Sequence, residues 1–176
     1  WDEDSVDFMK EYCNITKIPS ALITNHNLCK KARLENSTLI ISTGMSTESE
    51  IEDNVNICNP DIIMHTNSTY PSPVKEINLS YITWLMKKYN NRIIGYSGHE
   101  LNIIPSLHAV ALGAKYVERH ITIDKNMWGS DQRASLNPSE LNDLILGIRD
   151  IENSLGKGGP RTLLSSEKEK KKSLRG

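Results

Sequence analysis

Two histidines, His99 and His120, each close a short apolar run, Ile93-Ile94-Gly95-Tyr96 and Tyr116-Val117. A helical stretch lies between the runs, so the pattern reads strand, helix, strand. Side chains alternate faces along a strand. If each ladder runs to its last residue, Ser97 and His99 share one face, and Glu118 and His120 share one face of the next strand. Adjacent strands lie about 4.8 Å apart, so two imidazoles at matching ends can meet on one cation. Two imidazoles without cysteine argue against structural zinc, which wants four closed nitrogen or sulfur ligands. They suit an octahedral divalent ion with open positions for water or substrate oxygen, manganese first, with magnesium or cobalt as alternatives. Such an ion polarises a carbonyl as a Lewis acid. A polar connection over 121–136 follows, with Trp128, Gly129, Ser130, Asp131 and Arg133. Connections of this length are uncommon unless they bind something.

Other chemistry-bearing residues also fall at strand ends. Lys17 and Ser20 follow a first apolar run, Ser42, Thr43 and Gly44 end a second, and Asn67, Ser68 and Tyr70 follow a third. Ligands of parallel α/β folds sit at the carboxyl ends of strands. One lysine acting as a point charge, several hydroxyls and small residues that bring backbone N–H groups close suit a phosphate and a carboxylate. Residues without such a context keep an ordinary reading. His65 ends an apolar strand, His108 lies in a helix, and His26 has no partner in the pattern. Ser-Thr-Gly is common turn and cap chemistry, and Trp128 reads as a loop anchor.

The elements that must position these groups alternate along the chain. Strands are expected over residues 15–19, 38–42, 61–65, 92–97 and 115–120. A helix over 5–12 precedes them, with Val6, Met9 and Phe8 facing inward, and another is expected over 27–34. Thr47 with Glu50 forms a capping box for a helix carrying Ile51 and Val55. Leu79, Ile82, Leu85, Met86 and Tyr89 recur at helical spacing, as do Leu107, Val110, Ala111 and Ala114, although Gly113 weakens or ends that helix. Asn137, Pro138 and Glu140 open a last helix whose Leu141, Leu144, Ile145, Ile148 and Ile151 share a face until Gly156. Strict alternation means a parallel α/β sheet. Periodicity alone leaves two architectures open, a doubly wound open sheet and part of a (β/α)8 barrel.

A chain of 176 residues with 38% hydrophobic side chains can bury one core. Its net charge of -1 gives no general reason to expect nucleic acid or a membrane surface. No apolar run approaches the roughly 20 residues of a spanning helix. Cys13, Cys29 and Cys58 are odd in number and lack CxxC spacing, so they read as reduced thiols of a cytoplasmic protein. The sequons at Asn14, Asn36, Asn67 and Asn78 read as chance in an Asn-rich chain. The chain opens on WDEDSVDF, without methionine, and reads as the interior of a longer protein.

The pieces GYSGHE, ALGAKYVERHIT and GSDQRASLNPSEL, preceded in order by KIPSA, ISTGMST and HTNSTYPSP, resemble the sialic acid synthase family. That family condenses phosphoenolpyruvate with an N-acetylhexosamine. The resemblance implies a TIM barrel, with residues 1–156 as about strands four to eight and residues 157–176 as the linker toward a small antifreeze-like domain. It places Lys17, Ser20, Ser42, Ser68 and Ser97 around phosphoenolpyruvate, and Tyr70, Glu118 and Asp131 around the amino-sugar. Ser68 stands where some members carry asparagine. His99 and His120 fall on the two metal ligands, and with Glu118 form the implied catalytic set. The implied chemistry is attack of the enol carbon on the aldehyde of N-acetylmannosamine, water addition and loss of phosphate by C–O cleavage, giving N-acetylneuraminate. Other nonulosonic acid precursors, a sugar 6-phosphate, or a non-catalytic α/β binding domain are the alternatives. A homodimer is expected of the full-length protein.

Overall fold

The computed structural model describes residues 2–175. Five strands, β1 (Ile15–Ile18), β2 (Thr38–Ser42), β3 (Ile62–Thr66), β4 (Ile93–Gly98) and β5 (Tyr116–Arg119), pair in sequential order, every pairing parallel. Helix α1 (Glu3–Met9) precedes them. Helices α2 (His26–Glu35), α3 (Glu48–Cys58), α4 (Ser80–Lys88) and α5 (Ile104–Ala111) make the crossovers, and α6 (Pro138–Leu155) and α7 (Ser165–Arg175) follow.

Strand alternation divides the sheet into two faces of different chemistry. Ile18, Leu39, Ile41, Ile63, Ile94 and Tyr96 face the helices and join Leu28, Ala32, Ile51, Val55, Ile82, Leu85 and Ala109 in one core. The opposite face carries Lys17, Ile40, Ser42, Met64, Thr66, Gly95, Ser97 and Glu118, aligned by the register. Its polar members gather toward the carboxyl ends.

A single contact reports the curvature of the sheet. Lys17 on one edge strand and Glu118 on the other meet at 2.8 Å. Four steps of about 4.8 Å would put the edges of a flat sheet roughly 19 Å apart, beyond the joint reach of the two side chains. The sheet is therefore a curled half-barrel. Sequential strand order with helices on one face removes the doubly wound alternative, which needs a reversal of order and helices on both faces.

Local expectations hold where caps were written into the chain. Thr47 and Asn137 make full capping boxes with Glu50 and Glu140. Gly113, at φ 110, lies just beyond α5. Elsewhere the structure differs. Asp2 accepts from Ser5 N and starts α1 early, so the helix ends at Met9 with only Val6 buried and Phe8 63% exposed. Strand β5 stops at Arg119, because the next carbonyl, of His120, accepts from Leu136 N at 2.8 Å instead of extending the ladder. The buried residues of α5 are Pro105, Ser106, Ala109 and Val110 rather than Leu107 and Ala111. On α6 only Leu144 is buried, and its apolar stripe borders a cavity of about 420 Å³ together with Lys17, Met64 and Tyr116. Residues 165–175 form an exposed helix within the segment expected to be a linker.

Asp61 pins the lower ends of β2 and β3. Its carboxylate accepts from Leu39 N at 2.8 Å and from Arg33 at 2.6 Å. Burial alone would raise its pKa, but these partners outweigh burial and hold it below 3.8. A depressed carboxyl pKa stabilises the fold above the unfolded value, and that contribution is lost as pH falls through the folded one. Asp61→Asn should therefore unfold at lower urea than wild type at neutral pH, with the gap narrowing below pH 3.8. A gap unchanged across that range would show that the charge of Asp61 does not stabilise the fold.

Candidate active site

The carboxyl end of the sheet is assembled from the last residues of the strands and the loops that follow them. At the β2 end, Thr43 donates through both N and Oγ1 to Met64 O, which aligns the turn that follows with β3. Gly44 N then donates to Ser20 Oγ at 3.0 Å. A Cβ at Gly44 would collide with Ser68 Oγ and Ser20 Oγ, so glycine lets both hydroxyls close on the backbone. The turn bearing Ser20 is held in place by Asn54, fully buried on α3, which donates to Ile23 O at 2.6 Å.

Across the open face, Glu118 Oε1 accepts from Lys17 Nζ and from Ser97 Oγ, both at 2.8 Å. Burial works to raise the Glu118 pKa, but the lysine and the serine prevail and hold it below its ordinary value. The carboxylate is thus ionised and its charge balanced. Ser42 lies nearby on the same face, 1% exposed, and its hydroxyl has no hydrogen-bond partner among the described residues. Buried polar groups are rarely left unpaired.

The two histidines meet at the far side of this floor. Their ring centroids are 5.2 Å apart in an edge-on arrangement, and the Tyr70 ring lies 4.1 Å from His99 and 5.7 Å from His120. His99 is 4% exposed, and its Nδ1 is 2.7 Å from Asn67 O. A carbonyl only accepts, so Nδ1 carries the proton and Nε2 keeps its lone pair. Burial pushes the His99 pKa down, against the opposing Asn67 bond, and keeps the ring in its neutral, metal-binding form. A ring whose second nitrogen donates to a backbone carbonyl is oriented as metal ligands usually are. Asp131 Oδ2 is 3.7 Å from His120 Nδ1, too far for a hydrogen bond. Among the described residues no set of three His, Cys, Asp or Glu side chains is arranged to hold an ion. Any ion held by the two imidazoles would take its remaining ligands from elsewhere.

The structure brings Lys17, Ser97 and Glu118 into one cluster, Ser20 and Ser68 into a second, and Tyr70, His99 and His120 into a third, with Ser42 on the floor and Asp131 on the rim. His65 is a core residue bonded through Nε2 to Ile77 O, and His108 lies on α5. Sequence reasoning missed Glu100 and Arg119. Arg119 is flanked by Glu118 and His120, so alternation alone turns it toward the helices, where a charge needs a partner. That signal was readable.

Residues 1–159 match the NeuB family. The chain belongs to that family. It is 39% identical, over 96% of its length, to N,N′-diacetyllegionaminic acid synthase of Campylobacter jejuni. It is 41% identical, over 86%, to N-acetylneuraminate-9-phosphate synthase of Drosophila melanogaster. It spans 52% and 42% of those proteins, about half of each. The crystal structure of the N-acetylneuraminic acid (sialic acid) synthetase of Leptospira borgpetersenii matches 99% of this chain and 64% of its own, with a TM-score of 0.89 at 36% identity. A truncated 3-deoxy-D-arabino-heptulosonate 7-phosphate synthase from Thermotoga maritima, 20% identical over 88% of this chain and 64% of its own, shares the fold with a TM-score of 0.75.

In this NeuB-family chain the GHE sequence has a steric logic. A Cβ at Gly98 would come within 2.5 Å of Glu100 Oε2 and 2.7 Å of Tyr96 Cε1. Glycine lets the Glu100 carboxylate fold back beneath its own strand. Gly98→Ala should destabilise the protein by about 1–3 kcal/mol, the usual penalty for overpacking, read as a lower denaturation midpoint. An unchanged midpoint would mean that Glu100 does not need that space.

Proposed function

We propose that this chain carries most of the active site of a nonulosonic acid synthase. The reaction joins phosphoenolpyruvate, an N-acylhexosamine and water into a nine-carbon sugar acid and phosphate. N-acetylmannosamine is the proposed sugar and N-acetylneuraminate the product. The five strands then form the later part of a (β/α)8 barrel, with residues 157–176 leading toward a further domain. The observation that carries this reading is the His99–His120 pair, 5.2 Å apart between ring centroids, standing beside a lysine–carboxylate–serine floor.

Lys17 is the cation for an anionic substrate, held on the inner face by Glu118. Ser20 and Ser68 line the neighbouring wall and suit the phosphate of phosphoenolpyruvate, with Ser20 Oγ accepting from Gly44 N and so keeping its own proton to donate. Ser42 supplies a hydroxyl for the substrate's carboxylate and gains the bond it lacks, while Ser97, whose proton goes to Glu118, joins it only by releasing that bond. Tyr70 covers the histidines and offers an apolar ring to the sugar, with Asp131 as an acceptor for sugar hydroxyls. His99 and His120 would hold a divalent ion, manganese foremost, through His99 Nε2 and the facing ring. Bound there, the ion supplies Lewis-acid polarisation of a carbonyl. Burial of His99 keeps that ring unprotonated for the task.

Lys17 neutralises Glu118, which leaves Asp131 as the carboxylate that disfavours a phosphorylated sugar. The test uses the complete protein with phosphoenolpyruvate and a panel of amino-sugars, following phosphate release and product mass. Release with free N-acetylmannosamine is expected. Preference for its 6-phosphate would overturn the sugar half, and no phosphoenolpyruvate consumption with any sugar would overturn the whole. In the same assay His120→Ala should lower turnover far more than His108→Ala, which leaves it near wild type. Equal effects at matched folded fraction would reject the histidine assignment.

A further inference from the structure

Behind the histidine pair, on the helix-facing side of the same two strand ends, lies a buried ionic knot. Glu100 is 0% exposed, and the Arg119 side chain is 2% exposed. Glu100 Oε1 accepts from Arg119 Nη1 at 3.0 Å and from Ser106 Oγ at 2.8 Å, while Oε2 accepts from the Tyr96 hydroxyl at 2.8 Å. The same guanidinium donates to Asn102 O at 3.1 Å, Glu100 O at 2.5 Å and Ala134 O at 3.4 Å. One planar fork therefore ties together the end of β5, the loop after β4, the start of α5 and the returning loop before α6.

Each member of this knot is the chain neighbour of a histidine. Glu100 follows His99, and Arg119 precedes His120. The His99 ring has a bond of its own, to Asn67 O. The His120 ring makes no hydrogen bond among the described residues: Asp131 is 3.7 Å away, and the Tyr70 and His99 rings pack edge-on against it. Its direction is consequently set by its backbone, which Arg119 anchors on one side and the His120 O to Leu136 N bond on the other. Replacing a buried ion pair by apolar groups is often neutral for stability, so stability alone does not account for a charge knot at this place.

We propose that the Glu100–Arg119 pair is the positioning device of the two histidines, holding both strand ends in the register that lets their rings share one divalent ion. The proposal rests on the metal reading given above. Arg119 and Glu100 touch neither substrate nor ion. They act through the backbone of His99 and His120. Arginine is required because only a planar fork reaches two loops at once, whereas lysine supplies one point charge.

The test is calorimetric titration of the complete, folded protein with Mn²⁺, and separately with phosphoenolpyruvate in the absence of metal. Arg119→Lys should weaken Mn²⁺ binding by about 10–100-fold, the usual loss when a group supporting a metal ligand is altered. Phosphoenolpyruvate affinity should change far less, because none of Lys17, Ser20, Ser42, Ser68 and Ser97 bonds to Glu100 or Arg119. Should Arg119→Lys fold poorly, Tyr96→Phe, which removes only one bond to Glu100, should give a smaller loss in the same direction. His99→Ala serves as the control. If it abolishes Mn²⁺ binding while Arg119→Lys and Tyr96→Phe leave it intact, the positioning role is overturned and the metal site stands. Parallel losses of Mn²⁺ and phosphoenolpyruvate binding would mark a merely structural role and also overturn it. If wild type binds no Mn²⁺, the metal reading falls and takes the proposal with it.

Discussion

The contact between Lys17 and Glu118 is the constraint on which the rest depends. It joins the two edge strands of a five-stranded sheet, and it can form only when the sheet is curled. The curl turns the inner face into a concave floor and brings groups distant in sequence into one site. It also settles the electrostatics. A lone carboxylate partly buried on that floor would take up a proton more readily, and it would repel an anionic substrate. Paired with Lys17 and with Ser97, it stays ionised and orients the lysine without leaving net negative charge.

The two faces of the same strands divide the work. Toward the helices, aliphatic residues and Tyr96 fill a close-packed core, and the charges at the strand ends, Glu100 and Arg119, pair with each other, with only Arg119 Nε left without a partner among the described residues of that knot. Toward the open face, polar groups keep spare bonding capacity: the Ser42 hydroxyl, His99 Nε2 and the His120 ring. Satisfied groups behind and available groups in front are what a preorganised site requires, since only unspent donors and acceptors can meet a substrate.

Much of this was legible in the sequence because the signals were local. Caps at Thr47 and Asn137, apolar strand cores and the histidines at two strand ends all lie within a few residues of their cause. What was not legible depended on distance or on competition. The partners Lys17 and Glu118 are 101 residues apart, and no periodicity states that a sheet will curl. Helix α1 began early because the Asp2 side chain caps it by accepting from Ser5 N. Strand β5 ended early because Leu136 N captured the His120 carbonyl. The apolar stripe of α6 suggested burial, but most of it borders the open end of the half-barrel, where Leu144 alone is covered. Family membership came from the order of motifs, which exceeds what alternation and spacing convey.

The central claim is that Glu118 serves the anion site through Lys17. It is tested most directly by phosphoenolpyruvate affinity in the complete protein carrying Lys17→Met, Glu118→Gln and both. Lys17→Met should weaken binding by more than about 10-fold, as expected for loss of a buried charge contact. Glu118→Gln should weaken it less, and the double variant should be no weaker than Lys17→Met alone, the non-additivity of two residues acting as one unit. Additive losses, or full affinity without the lysine, would contradict the account.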